Sequence, residues 1–238
     1  IHKLISSGDL FMTILNDKMT VRNEEPQILS LQQSHISIAA KMMADTFFVD
    51  PLSCYLVPNE RYRLDSLEKA WRKTINHDFP LGHVYCSEQS DRNTSTVFDN
   101  SQILGIASWL PPNAKSPSLL GSLPLILEIF LQNGVVSTKR ILNTLTKTEA
   151  YRLRDCPTPH WYLEGLGVSP KAQGKGIGGL LLQPVLQQAD RQGEICYLFT
   201  STDRAVKFYQ RHGFAVREEL RVLNDAPPLW MMMRSPQA

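Results

Sequence analysis

A chain of 238 residues that is 42% hydrophobic and 20% charged can bury an adequate core as one large or two small domains, which excludes a disordered or fibrous protein. With 25 basic against 23 acidic residues the formal net charge is +2, which argues against a broad nucleic-acid-binding surface. No run reaches the roughly 18 uninterrupted apolar residues of a spanning helix, so no membrane partner is expected.

The first 20 residues, IHKLISSGDLFMTILNDKMT, have no apolar core followed by a small-residue cleavage site and do not read as a signal peptide. Residues 1–25 read as an N-terminal extension of uncertain order. PQILSLQ, 26–32, alternates apolar and polar residues and reads as a first strand. SHISIAAKMMADTFFVD, 34–50, reads as a helix with a serine cap, broken by Pro51. NERYRLDSLEKAWRKTINHDF follows as a second helix rich in i,i+4 charge pairs. GHVYCSEQ and QILGIASWLPP read as strands, the latter stopped by two prolines. Between 113 and 156 the periodicity is helical, and two helices joined near Asn133 and Gly134 are expected. HWYLEGLGV then reads as a strand, 176–191 as a helix, EICYLFTS as a strand and DRAVKFYQRHG as a helix. FAVREELRV and PLWMMMR close the chain as strands, and the alternation suggests a mixed α/β sheet. Pro184 should kink or interrupt its helix, because its ring clashes with the Leu180 carbonyl.

Four of the 13 glycines fall within residues 174–179, directly before a leucine-rich run. Glycine weakens helix and strand alike, so the cluster needs a reason in backbone geometry. A strand, a glycine-rich turn and a helix N-terminus together make an anion site, since the first helical amides lack intrahelical partners. The run 173–179 therefore reads as a pyrophosphate cradle, with glycine packing against a neighbouring helix as the alternative. It does not fit GxxxxGK[ST], because Gly176 follows Lys175. Gly174, Gly176 and Gly179 match GxGxxG in spacing, but no acidic residue ends the next strand as a dinucleotide site requires. Cys54, Cys86, Cys156 and Cys196 are widely spaced without a CxxC pair, so neither a zinc site nor a disulfide framework is expected; no metal is expected, and a reduced, cytoplasmic chain is.

What the turn does match is Gln-x-x-Gly-x-Gly, at Gln173, Gly176 and Gly178, preceded by LGVSP. This resembles the acetyl-CoA signature of the GNAT superfamily of N-acetyltransferases. TDRAVKFYQRHGFAV, 202–216, resembles the same family's late helix-to-strand element, and together the two cover about 160–234. Within the family the run from Trp161 to Gly193 is most similar to the puromycin N-acetyltransferase-like branch. The resemblance implies a single GNAT-type α/β (α+β) domain over 26–238, with a helical insertion at about 113–156. Its mixed, mostly antiparallel central sheet would be flanked by helices and splayed at the acetyl-CoA strand.

The activity implied is direct transfer of acetyl from acetyl-CoA to a primary amine of a small, possibly antibiotic-like, molecule in a ternary complex. A homodimer is compatible with this, and no nucleic acid is expected. The resemblance assigns cofactor binding to Leu166, Gly167 and Val168 along the pantetheine and to Gln173, Gly174, Lys175, Gly176, Ile177, Gly178 and Gly179 around the pyrophosphate. Tyr209 matches the position of the general acid for the departing thiolate, with a packing tyrosine as the alternative. Glu164 is the candidate base or water-orienting group, with a structural ion pair as its rival. Strict alternation places Glu164 on the face of Tyr162, Leu166 and Val168. His160 reads as a satisfied strand-end histidine, with a place in the cleft as the alternative, and nothing around Cys196 marks it as a nucleophile. The family's usual asparagine before the late helix is missing around Thr202, which puts one side-chain contact to the cofactor in doubt. The alternative from a different class is a non-catalytic acyl-CoA-binding module that senses the cofactor or regulates a partner; Tyr209 beside an intact cradle favours the enzyme.

Overall fold

The computed structural model describes residues 26–89, 102–116 and 120–237. In chain order the elements are β1 (Gln27–Ser30), α1 (Ile36–Phe47), α2 (Pro51–Leu56), α3 (Glu60–Asp78), β2 (Val84–Gln89), β3 (Gln102–Leu110), α4 (Leu123–Asp155), β4 (Trp161–Val168), α5 (Ile177–Gln192), β5 (Cys196–Thr200), α6 (Asp203–Arg211), β6 (Ala215–Leu220) and β7 (Leu229–Arg234). The strands form one seven-stranded sheet in the order β1-β2-β3-β4-β5-β7-β6. Every neighbouring pair is antiparallel except β4 and β5.

Each expected element is present, with differences at the helix ends. The first helix has no serine cap: Ser34 lies in a 3-10 turn, and the N-cap residue His35 makes no side-chain cap bond. Pro51 does not merely break that helix but opens α2 at its first turn. A proline there gives up an N–H that has no intrahelical partner anyway, and Asp50 caps the Leu52 and Ser53 amides. α4 carries the expected junction, with Gly134 at φ 74° between two helical segments. α5 runs unbroken through Pro184, so the expected interruption does not occur. Leu182, Val185 and Leu186 are buried on either side of it, and this packing outweighs the lost backbone bond.

The sheet is covered on both faces. On one, Leu181, Leu182, Val185 and Ala189 of α5 pack against Trp109, Trp161 and Leu163. On the other, Ala39, Ala40 and Met43 of α1 and Ile75 of α3 pack against Cys86 and Ile106. A third cluster joins Tyr55 of α2 to Tyr162, Tyr197, Leu229 and Met231.

The end of α5 is tied to β7 by Arg234, whose Nη1 and Nη2 donate to Asp190 at 2.6 and 2.7 Å while its Nε donates to the His212 carbonyl at 3.0 Å. Its partner guanidinium holds the Asp190 carboxyl below the usual carboxylate range. Arg234 is 3% exposed, so removing it strands both acceptors. Arg234→Ala is expected to cost about 3 kcal/mol, read as a lowered denaturation midpoint at neutral pH. Lysine should not restore it, because a point charge cannot replace the two-pronged contact.

Candidate active site

Three features of β4 and the turn behind it create the site. The first is a splay. β4 and β5 pair only at Trp161 with Cys196 and Tyr162 with Tyr197. From Leu163 to Val168 the edge of β4 that faces β5 has no strand partner among the described residues, which leaves main-chain groups open to an extended ligand.

The second is the turn. After β4 the chain makes a 3-10 turn at Pro170–Ala172 and enters α5 through Gly176. Gly174 and Gly176 both sit at φ 80°, in the left-handed region that side chains avoid. Among the described residues the N–H groups from Gln173 to Gly178 find no acceptor; the next, of Gly179, bonds the Gly176 carbonyl at 3.0 Å. Six consecutive free amides at a helix N-terminus fit a diphosphate by number and by sign of charge. Gly178 and Gly179 have a different reason: a Cβ would press on Phe208 at 3.2 Å and on His212 at 3.0 Å. The cluster thus splits, two glycines for the turn and two for close packing of α5 against α6. The Gln173 side chain ties the turn back to the strand by donating to the Val168 carbonyl at 3.0 Å.

The third feature is a bulge. Ser108 of β3 stands opposite Gly165 and Trp109 opposite Leu163, leaving Glu164 as the extra residue of β4. The bulge resets the alternation and corrects the face expected for Glu164. Trp161, Leu163, Leu166 and Val168 all pack toward α5. Tyr162 packs on the opposite side, and Gly165 and Gly167 turn toward α1 and α3, where a Cβ would overlap the Trp71 ring and the Met43 sulfur. Glu164 stays with Tyr162, where Asp78, Arg152 and Glu149 supply its charged surroundings. Burial pushes its carboxyl up to about 8, with the Asp78 charge adding to the rise and Arg152 opposing it.

Arg152 organises this face. Its Nε and Nη2 donate to Glu149 at 2.8 and 2.6 Å, its Nη1 to His160 Nε2 at 3.0 Å, and its guanidinium lies 4.9 Å from the Tyr162 ring centre. A guanidinium only donates, so His160 Nε2 accepts and the ring proton sits on Nδ1, 2.7 Å from the Thr158 carbonyl. His160 is therefore a satisfied, neutral strand-end residue, and burial lowers its proton affinity further.

Tyr209 lies on the opposite face of β4 from Glu164, in the core with Phe208 and Phe214. Burial raises its phenol well above the ordinary value, so it stays protonated at neutral pH. No hydrogen-bond partner for its hydroxyl occurs among the described residues. Glu164 and Tyr209 can thus serve one reaction only through the gap between β4 and β5. Burial pushes the Cys196 thiol up to about 12, which leaves no thiolate for an acyl-cysteine route. Thr202 caps α6, its Oγ1 accepting from the Ala205 amide at 3.2 Å. The position that departs from the GNAT pattern is accordingly occupied by a structural role.

The corner between α1 and α2 covers the gap. Phe47 stands over Gly167 and stacks on Trp71 with ring centres 5.1 Å apart. Asp50 accepts from Ser201 Oγ, just past β5, at 2.8 Å. This strap, Asp78 with Ser108, and the contacts of Arg152 with His160 and Tyr162 gave no sequence signal, because each joins residues of different elements that no local period relates.

A mixed α/β sheet splayed beside a free-amide turn, with a carboxylate on its bulge, is open to an extended ligand that ends in an anionic group. Residues 97–214 match the model of the acetyltransferase (GNAT) family. The chain belongs to the GNAT family of N-acetyltransferases. An uncharacterised N-acetyltransferase of Schizosaccharomyces pombe is 27% identical over 211 residues, spanning 84% of this chain and 79% of its own. The structure of a histone acetyltransferase HPA2 and related acetyltransferase from Corynebacterium glutamicum aligns with a TM-score of 0.61 at 18% identity, over 90% of this chain and 98% of that one. Arylalkylamine N-acetyltransferase 2 of Aedes aegypti aligns with a TM-score of 0.58 at 15% identity, over 89% and 99% of the two chains. At such identities these two structures speak for the fold alone. The puromycin N-acetyltransferase-like branch is not among these similar proteins.

Proposed function

We propose that the protein transfers acetyl from acetyl-CoA directly to the primary amine of a small molecule bearing an apolar body. The observation that carries this reading is the run of six unpartnered amides, Gln173 to Gly178, at the end of the open edge of β4. When bound, acetyl-CoA supplies an activated acyl group as a thioester. The amides of Gln173, Gly174, Lys175, Gly176, Ile177 and Gly178 hold the pyrophosphate, while Leu166, Gly167 and Val168 pair along the pantetheine. Glu164, ionising near 8, takes the ammonium proton directly or through a water so that a neutral amine attacks. A backbone N–H near Leu166 is the donor assigned to the developing oxyanion in this reading. Tyr209 donates a proton to the departing thiolate, and its high proton affinity keeps that proton available.

The aromatic pair of Phe47 and Trp71 over β4 supports an acceptor with an apolar body. The Aedes aegypti protein that shares the fold is named for arylalkylamines, which fits the same choice. The similarity of the run from Trp161 to Gly193 to the puromycin N-acetyltransferase-like branch adds puromycin to the candidates, and a reduced, cytoplasmic setting is the one we propose for it.

Calorimetric titration with acetyl-CoA, against ATP and NAD, tests the cradle, and CoA release with tryptamine, puromycin or spermidine tests the acceptor. Selective acetyl-CoA binding and release with the first two amines is the expected result. Failure of a folded sample to bind acetyl-CoA would remove the cofactor reading altogether. Tyr209→Phe should lower turnover at least about tenfold with little change in acetyl-CoA affinity; unchanged turnover would exclude Tyr209 as the acid.

A further inference from the structure

The last residue of α3, Asp78, is 0% exposed. Burying a carboxylate is costly unless it is well bonded, and this one is held by two side chains. Ser108 Oγ donates to its Oδ2 at 2.6 Å, and His77 Nδ1 donates to its Oδ1 at 2.8 Å. Ser108 is the β3 residue opposite Gly165, one position past the bulged Glu164. Asp78 is therefore fixed beside the one rung of the sheet where the candidate base leaves the ladder. The His77 side chain remains 33% exposed, so the buried carboxylate has a link to solvent on its far side.

We propose that the His77–Asp78 pair is a positioning pair for the reaction: the Asp78 carboxyl, fixed by Ser108 beside the bulge and bonded by His77 from the solvent side, is the acidic neighbour beside which Glu164 works. The proposal rests on the reading of Glu164 as the base.

Two close carboxylates cannot ionise independently; the better-bonded one ionises first, and the second meets its charge. Asp78 has two donors, whereas Glu164 has no hydrogen-bond partner among the described residues. The other groups facing Glu164 do not supply an equivalent charge. Glu149 and Arg152 of α4 are paired with each other, Tyr162 of β4 is a phenol beneath that guanidinium, and His160 is neutral. A buried carboxylate kept merely to fasten α3 to β3 would need no placement at the bulge; a hydroxyl or amide could bond Ser108 without the desolvation cost.

The test follows the Glu164 carboxyl itself, by carbon NMR of the ligand-free full-length chain labelled at glutamate, from about pH 5 to about pH 10. The signal is assigned by its loss in Glu164→Gln. The wild-type midpoint is expected near 8. In Asp78→Asn it should fall by about one pH unit or more. In His77→Ala it should fall in the same direction but less, because Asp78 without that donor binds its proton more tightly. A folded Asp78→Asn variant with an unmoved midpoint overturns the proposal. If that variant does not fold, an unmoved midpoint in His77→Ala does so. An inactive Glu164→Gln enzyme with immobile midpoints sinks this pairing alone, whereas a fully active Glu164→Gln enzyme sinks the base reading beneath it.

Discussion

Glu164→Gln is expected to lower kcat/KM at least about a hundredfold at neutral pH, the scale of a lost general base. The substitution keeps the shape of the side chain and its place on the bulge, so the acetyl-CoA affinity should be nearly unchanged. In the wild type, kcat/KM should climb with pH until Glu164 is ionised, near 8, and the variant should lose that limb. Full activity across about pH 6 to 9 would dispose of Glu164 as base. The same change has a stability signature with a definite sign. The folded chain keeps the Glu164 proton up to about 8, whereas the ordinary carboxyl releases it near 4.5. Between those values the folded state binds more protons than the unfolded one, so stability falls as pH rises through the window. Glutamine does not titrate, and the variant should lose less stability than the wild type between about pH 5.5 and 8.

Gly176→Val is expected to lower acetyl-CoA affinity at least about tenfold, which corresponds to about 1.4 kcal/mol. Gly176 holds φ 80° as the N-cap of α5, and a β-branched residue cannot rest there without strain. The turn must rebuild, and the amides aimed outward by it lose their common direction. Gly193→Val makes the comparison that matters, because Gly193 holds φ 69° at the other end of the same helix. It should lose comparable stability in thermal denaturation and retain cofactor binding. Equal losses of binding in the two variants would mean that the turn acts only through the fold.

Most of the architecture was legible in the sequence because strand and helix periodicities are local, and so was the glycine turn before α5, because backbone conformation at Gly174 and Gly176 is dictated by residue type. Face assignments failed where pairing intervened. Alternation along HWYLEGLGV placed Glu164 with Leu166 and Val168, and only the register with β3 reveals the bulge that separates them. Pro184 misled for a related reason: propensity counts a missing hydrogen bond, while Leu182 and Val185 are held by the sheet. Pro51 reads locally as a stop, yet Asp50 before it makes it a start. The Asp78–Ser108 and Arg152–His160 contacts depend on which polar residues meet across elements, and no periodicity encodes that.

The two rungs joining β4 to β5 have a mechanical meaning. β1 to β4 form one plate, β5 to β7 another, and the plates meet along a seam fastened at one end only. α5 crosses from one plate to the other, and the Asp50–Ser201 bond clasps them at the open end. The proposed ligand laid along β4 would fill the missing rungs as a removable strand. Occupancy of the proposed site would then stiffen the seam between the plates.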